Sequence, residues 1–354
     1  MKVVVTGATG NVGTSVVAAL AADPDVTEIT GIARRRPTWA VPKTTWHALD
    51  VSRDDLAPAF AGADAVIHLA WLFQPARRPL VTWDNNVLGS IRVFDAAAAA
   101  GARALVHASS VGAYSPRPAD GRPVDETWPT HSRPTAAYGR EKAYVERVLD
   151  AFEPRHPDVR VVRMRPCFIF KPEAAAEQRR IFAGPLLPAR LVGAGSVPVV
   201  PDVPGLAFQA LHTADVAEAF RRTLTGSARG AFNLATDPVI TPVVLGRVFG
   251  ARTVRVPAGV LVRAAKIAYA ARVTPAPPEL VELFLSLPAL DAGRAHRELG
   301  WQPSRTGVEA LQSLLEGWRT GADLPTPPLA LHAAGPLRQE ELATAVGGRD
   351  ALAG

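Results

Sequence analysis

The chain has 354 residues, 48% hydrophobic and 20% charged, an ordinary globular balance with length enough for one large domain or two smaller ones sharing a core. Its formal charge is +6, from 39 Lys and Arg against 33 Asp and Glu; with no basic stripe interleaved with aromatics, this argues against a nucleic-acid partner and for an anionic cofactor or plain solubility. A single cysteine, Cys167, excludes an intrachain disulfide and a cysteine-based metal cluster.

The opening apolar run, Val3 to Val5, is too short for a signal peptide and reads as a strand, followed by a helix over Gly13 to Ala22. Further strands are expected at Glu28 to Ala33, Ala65 to Ala70, Ala104 to Ser109 and Val159 to Met164, with helices at Asn86 to Ala100 and Ala136 to Asp150. Apolar strands separated by helices predict an α/β fold with a Rossmann-type doubly wound parallel sheet covered on both faces. His68 and His107 lie in such strands and are expected as satisfied core histidines, and the eight histidines show no metal-ligand spacing.

After Pro166 the alternation is lost. Cys167 lies in an apolar run and is expected as an inert buried thiol. Candidate elements are a helix at Ala214 to Thr225, a strand at Ala231 to Ala235, and helices at Pro278 to Leu287 and Gly307 to Thr320. Ala258 to Val273 is apolar but carries Arg263, Lys266 and Arg272, which predicts an amphipathic helix over a core or pocket in preference to membrane association. No apolar run is long enough to span a bilayer. We therefore expect a cytoplasmic chain with no membrane partner. The division expected is a dinucleotide-binding domain over 1–165, with elements returning near 208–236. A smaller substrate lobe would comprise 166–207 and 237–322, and a flexible Pro- and Ala-rich tail 323–354.

The first strand runs into Thr6-Gly7-Ala8-Thr9-Gly10-Asn11-Val12-Gly13 and then a helix, the context a dinucleotide fingerprint requires. Gly7 permits the turn, Gly10 lets backbone approach a pyrophosphate, and Gly13 lets helix and strand pack closely. The helix N-terminus supplies unpaired N–H groups and partial positive charge. The second strand ends in Arg34-Arg35-Arg36 where an acidic residue would hold the ribose of NAD. Guanidinium groups there suit a 2′-phosphate, so NADP(H) is favoured over NAD(H). Asp50 and Val51 are expected to border the adenine.

Ser109 and Ser110 end a strand, where open α/β sheets bind ligands. Tyr138 and Lys142 are four apart, on one face of a helix. A phenol that titrates near pH 10 is a poor catalyst at neutrality. A nearby ammonium, with an oxidised nicotinamide ring close by, is expected to lower that value and make Tyr138 a general acid/base, with Ser110 bonded to the substrate oxygen and Lys142 to the nicotinamide ribose.

Together with His68-Leu69-Ala70, Asn86 to Ser90, Arg165-Pro166, His212 to Val216 and Leu299 to Pro303, these segments make the chain resemble the extended short-chain dehydrogenase/reductases, the NAD-dependent epimerase/dehydratase family. The resemblance implies that Ser110, Tyr138 and Lys142 are catalytic and that Asn86 supports the helix carrying the proton relay. By the same resemblance Leu69 and Ala70 line the cofactor, and the run Pro166 to Ile169 passes the nicotinamide carboxamide. It also implies a homodimer through the helices Asn86 to Ala100 and Ala136 to Asp150.

Departures bear on substrate. Val111 and Gly112 follow Ser110 where sugar dehydratases carry acidic residues, so water elimination is disfavoured. Phe168 and Phe208 stand where sugar epimerases carry an asparagine and an arginine for the nucleotide diphosphate, which predicts a more apolar pocket. Asp215 is expected to order a loop rather than act with His212. The reading is a carbonyl/alcohol oxidoreductase acting on a small, non-nucleotide substrate. A nucleotide-sugar epimerase and a non-catalytic NADP(H)-binding regulator are the alternatives.

Overall fold

The computed structural model describes residues 1–74, 77–183 and 197–331. Its centre is a seven-stranded, wholly parallel sheet. The strands are β1 (Lys2–Thr6), β2 (Glu28–Ala33), β3 (Thr44–Ala48), β4 (Ala65–His68), β5 (Ala104–Ala108), β6 (Arg160–Pro166) and, after three short strands elsewhere, β10 (Gly230–Leu234). Their order is β10-β6-β5-β4-β1-β2-β3, the doubly wound arrangement expected.

Strand chemistry explains the layers. Val3 and Val5 belong to one hydrophobic cluster and Val4 to the other, so successive side chains of β1 enter opposite faces and both are dry. One face is covered by α1 (Asn11–Ala22) and α7 (Thr213–Thr225). The other is covered by α4 (Gly89–Ala99) and α5 (Ala137–Arg155), with α2 (Ala57–Phe60) beside them. Pro154 falls in the last turn of α5, one residue before its end.

The predicted helix at Asn86 to Ala100 begins earlier and is less regular. Helix α3 (Pro79–Trp83) passes through a π-helical turn, Asp84–Leu88, into α4. Beyond Pro166 come β7 (Phe168–Phe170), α6 (Ala175–Gln178), β8 (Val199–Asp202) and β9 (Ala210–His212), then α8 (Pro242–Phe249) and β11 (Arg252–Arg255). Pairs β7–β9 and β8–β11 form two small parallel sheets. Helices α9 (Ala258–Ala270), α10 (Pro278–Ser286), α11 (Gly293–Leu299) and α12 (Gly307–Thr320) complete the described chain. Among the described residues, no helix is long and apolar enough to cross a membrane.

Three expectations need correction. The tail was expected to be flexible from residue 323, but 323–331 packs down: Thr326 and Leu329 are buried, and the Thr326 hydroxyl donates to the Thr9 carbonyl at 2.9 Å. Residues 332–354 lie outside the described residues. The amphipathic helix α9 exists, but it joins no hydrophobic core cluster and lines no part of the cavity; its half-buried side packs against α10. His68 is satisfied, by Thr6 Oγ1 at 2.7 Å and Ser90 Oγ at 2.8 Å. His107 is not: both ring nitrogens are buried without a partner, and burial holds its pKa well below the usual histidine value. The His68 ring stacks on it, at 5.4 Å between centroids.

Candidate active site

The Gly-rich turn is shaped by close contacts. Gly7 has φ +68°, and a Cβ there would lie 2.6 Å from Ala70 N. A Cβ on Gly13 would lie 2.2 Å from Gly7 O. Internal packing therefore requires both glycines. Gly10 is different, since its nearest neighbour would be Gly7 O at 3.5 Å, ordinary contact. The smallness of residue 10 answers to nothing inside the protein and leaves the turn open towards the cleft. Gly10 also caps α1 without a side-chain bond, so the first-turn amides of Asn11, Val12 and Gly13 are presented to an outside acceptor. That donor set and that open face fit a dinucleotide pyrophosphate.

A cavity of about 830 Å³ runs from this turn to the far lobe. Of the residues expected to hold a dinucleotide, Gly7, Gly10, Asn11, Val12, Gly13, Arg34, Arg35, Val51, Leu69, Ala70, Tyr138, Lys142, Pro166 and Ile169 line it. Ala8 and Asp50 do not. Ala8 is fully buried and bonds Ile32 O through its amide. The Asp50 carboxylate accepts from the Ser52 amide and hydroxyl at 3.0 and 2.7 Å, closing its own turn rather than facing the cavity. Asn11 uses its side chain inwardly, donating to Ile169 O at 3.2 Å and accepting from Thr213 Oγ1.

Ser110, Tyr138 and Lys142 come together at the carboxyl end of β5. Tyr138 Oη donates to Ser110 Oγ at 2.9 Å, and Ser110 Oγ also accepts the Gly112 amide at 2.9 Å. Lys142 Nζ donates to Ala108 O at 2.7 Å and sits 3.4 Å from the centre of the Trp71 ring. Asn86 is not among them. Its amide donates to Leu72 O and Glu141 Oε2 and accepts from Leu72 N, tying the segment after β4 to helix α5. It is a positioning residue.

Burial pushes the Tyr138 phenol up to about 12, only partly offset by its bond to Ser110. Burial pulls Lys142 down to about 7 against the pull of Glu146 and Glu141. The ammonium is aimed at a carbonyl and an indole face, and the phenol is stacked on Phe73 at 4.6 Å with Trp71 edge-on at 6.1 Å. Desolvation outweighs the bond to Ser110, so the phenol is held neutral, as a proton donor.

Sequence reading did not foresee the aromatic cover formed by Trp71 and Phe73, nor the buried charge network behind the site. Glu146, fully buried, accepts from Ser109 Oγ at 2.6 Å and bidentately from Arg165 at 2.9 Å on each oxygen, and pairs with Arg163 at 3.2 Å. These cations hold its carboxyl down at about 2 despite burial. The signal was present, because Tyr138, Lys142 and Glu146 repeat every four residues along one face of α5.

At the far end Phe168 packs edge to face with Phe208 and Phe284, which are tilted against each other, with centroids 5.2 to 5.5 Å apart. Leu280, Leu283 and Leu287 extend this wall, and the single acidic lining residue among those described is Glu177. Asp215 orders a loop, as expected, accepting from the Ser304 amide and hydroxyl at 2.8 and 2.7 Å. No cluster of metal ligands occurs among the described residues.

A family model described as the NAD dependent epimerase/dehydratase family matches residues 3–235. An L-arabinose 1-dehydrogenase (NAD(P)(+)) of Haloferax volcanii is 35% identical over 171 residues, which is 44% of this chain and 62% of that enzyme, under two thirds of its length. A UDP-glucose 4-epimerase of Yersinia enterocolitica is 25% identical over 361 residues, 90% of this chain and 97% of that one. The Thermus thermophilus UDP-glucose 4-epimerase complex with NAD superposes with a TM-score of 0.65 at 21% identity, covering 90% and 99% of the two chains, which speaks to the fold alone.

Proposed function

Because the chain belongs to the NAD-dependent epimerase/dehydratase family, an enzyme family, we propose that it is an NAD(P)-dependent oxidoreductase interconverting a carbonyl and a secondary alcohol on a small substrate that carries no nucleotide. The observation that carries this reading is the 2.9 Å bond from a neutral Tyr138 phenol to Ser110 Oγ at the mouth of a strand, beside an open Gly-rich turn.

A nicotinamide dinucleotide bound along Gly7 to Gly13 would supply or accept the hydride. In the reductive direction Ser110 and Tyr138 orient the substrate oxygen, and Tyr138 gives up its phenolic proton as that oxygen gains charge. Lys142 stabilises the phenolate left behind, and Trp71 and Phe73 keep bulk water from it. Arg34 and Arg35, at the end of β2, favour NADP(H) through its 2′-phosphate. Replacing both with Asp is expected to raise the KM for NADPH more than tenfold while leaving NADH nearly unchanged.

Tyr138→Phe is expected to lower kcat by about 10²- to 10⁴-fold, measured as NADPH oxidation against a panel of ketones and aldehydes, while the cofactor still binds. Turnover at the wild-type rate would reject the mechanism. The alignment over 90% of the chain with a UDP-glucose 4-epimerase favours a second reading, epimerisation of a nucleotide sugar. Against it stand the phenyl rings at 168 and 208. Purified protein that retains NAD and epimerises UDP-glucose without net cofactor consumption would favour that alternative.

A further inference from the structure

Residues 238–278 carry six cationic side chains, Arg247, Arg252, Arg255, Arg263, Lys266 and Arg272, and no Asp or Glu, which equals the entire excess of 39 basic over 33 acidic residues in the chain. The rest of the molecule is formally neutral. All six are exposed, and none takes part in a salt bridge among the described residues.

The same lobe concentrates exposed apolar side chains. Val243, Val254, Val260, Ile267 and Val273 are 54, 49, 54, 70 and 38% exposed. On α9 the outward positions Val260, Ala264, Ile267 and Ala271 follow the spacing of one helical face, with Arg263 and Lys266 flanking it. Beside α9, the Arg77 guanidinium lies 3.9 Å from the centre of the Tyr269 ring, and Leu80, three residues on, is 75% exposed. Helix α9 packs its half-buried side, Leu261, Val262, Ala265, Ala268 and Tyr269, towards α10 and leaves the opposite stripe, basic at its flanks, uncovered by any described part of the chain.

We propose that this face, centred on α9 with Arg77 and Leu80 beside it, docks on the surface of an anionic lipid bilayer. Charge complementarity selects the occupant. Concentrated positive charge with no salt-bridged acid seeks an anionic surface, and the aliphatic Val–Ala–Ile–Ala stripe seeks the acyl boundary beneath the headgroups. Nucleic acid would satisfy the arginines and leave the stripe in water. The placement also has a use. Ala276, Leu280 and Phe249, next to this face in the chain, line the cavity, and Gln74 Nε2 bonds Pro275 O at 3.1 Å where the two meet. An apolar substrate leaving the bilayer would therefore enter at the Phe168–Phe208–Phe284 wall.

The test is flotation of the full chain with phosphatidylcholine vesicles containing 30% phosphatidylglycerol, against pure phosphatidylcholine. Binding is expected only to the anionic vesicles and is expected to fall steeply between 50 and 500 mM NaCl. Arg263→Gln with Lys266→Gln is expected to weaken it roughly 25-fold, at about a fivefold loss per cation. Ile267→Asp is expected to abolish it. Neither variant touches the cavity, so cofactor binding is unchanged and reports that the chain is folded. Equal binding to both vesicles, or none, overturns the proposal. So does salt-sensitive binding to RNA or DNA with no vesicle binding, or a loss of self-association on Ile267→Asp, which would give the face to a second copy. Flotation needs no turnover, so its failure leaves the redox reading standing, and the reverse holds too.

Discussion

Two cationic regions of this molecule obey opposite rules. Behind the candidate active site, Arg163 and Arg165 are buried and ion-paired, Arg163 with Glu146, Asp150 and Glu153 and Arg165 with both oxygens of Glu146 and with Tyr114 Oη at 2.9 Å. In residues 238–278, six cations are exposed and have no acidic neighbour in the segment. A buried charge must bring its partner with it, because desolvation costs more than most contacts return. An exposed charge is under no such constraint, and where several gather without partners they are left for something outside the chain. The first region holds Ser109 and helix α5 in place; the second is outward-looking.

Substitutions can break or sharpen that contrast. The largest stability effect is expected at Arg165→Met, which leaves the fully buried Glu146 undercompensated; chemical denaturation should show a loss of about 3–5 kcal/mol. A loss under 1 kcal/mol would mean that the network contributes little. Gly112→Ala should cost about 1–3 kcal/mol, because the added Cβ would lie 2.7 Å from Tyr138 Cε1. The same displacement should cut kcat by roughly tenfold to a hundredfold with cofactor binding retained, a split that steady-state kinetics and cofactor titration resolve.

The buried Lys142 makes a pH prediction. Its folded value is about 7 against roughly 10.4 unfolded, so between those values the unfolded chain holds a proton that the native one lacks. Stability from this group therefore rises with pH across that window, by at most about 1.4 kcal/mol per pH unit, and Lys142→Met should flatten the slope. Above pH 10 the sign reverses for Tyr138, held up at about 12, since there the native state keeps the proton. Thr326→Ala removes the hydroxyl that anchors the terminal segment to the Gly-rich turn and should cost about 1 kcal/mol. Arg263→Met, in the exposed region, should change stability by less than about 0.5 kcal/mol, the outcome that sets it apart from Arg165→Met.

Much of the first half was legible because its signals are local. The strand–turn–helix at Val3 to Gly13 needs only neighbouring residues to declare itself, and Tyr138 and Lys142 share a face by helical period alone. The predicted strand ends at Ala70 and Ser109 overshot by one or two residues, to His68 and Ala108, because the apolar run continues past the last ladder bond. What was not legible depends on residues distant in the chain. Asp50 has the right position to border a nucleotide, yet its carboxylate closes a local turn. The stretch after Pro166 was opaque because its two small sheets pair strands across tens of residues, β7 with β9 and β8 with β11.

By itself the sequence determined the parallel sheet, the glycine cradle and the family, since periodicity, turn chemistry and motif order are properties of short segments. Tertiary structure alone decided that Trp71 and Phe73 cover Tyr138, because that contact depends on a loop distant in sequence that closes over α5. It also decided that Phe168 and Phe208 meet Phe284 in one wall, and that α9 turns its apolar stripe outward. Hydrophobic pattern says which face of a helix avoids water; only packing says whether the rest of the chain is there to cover it.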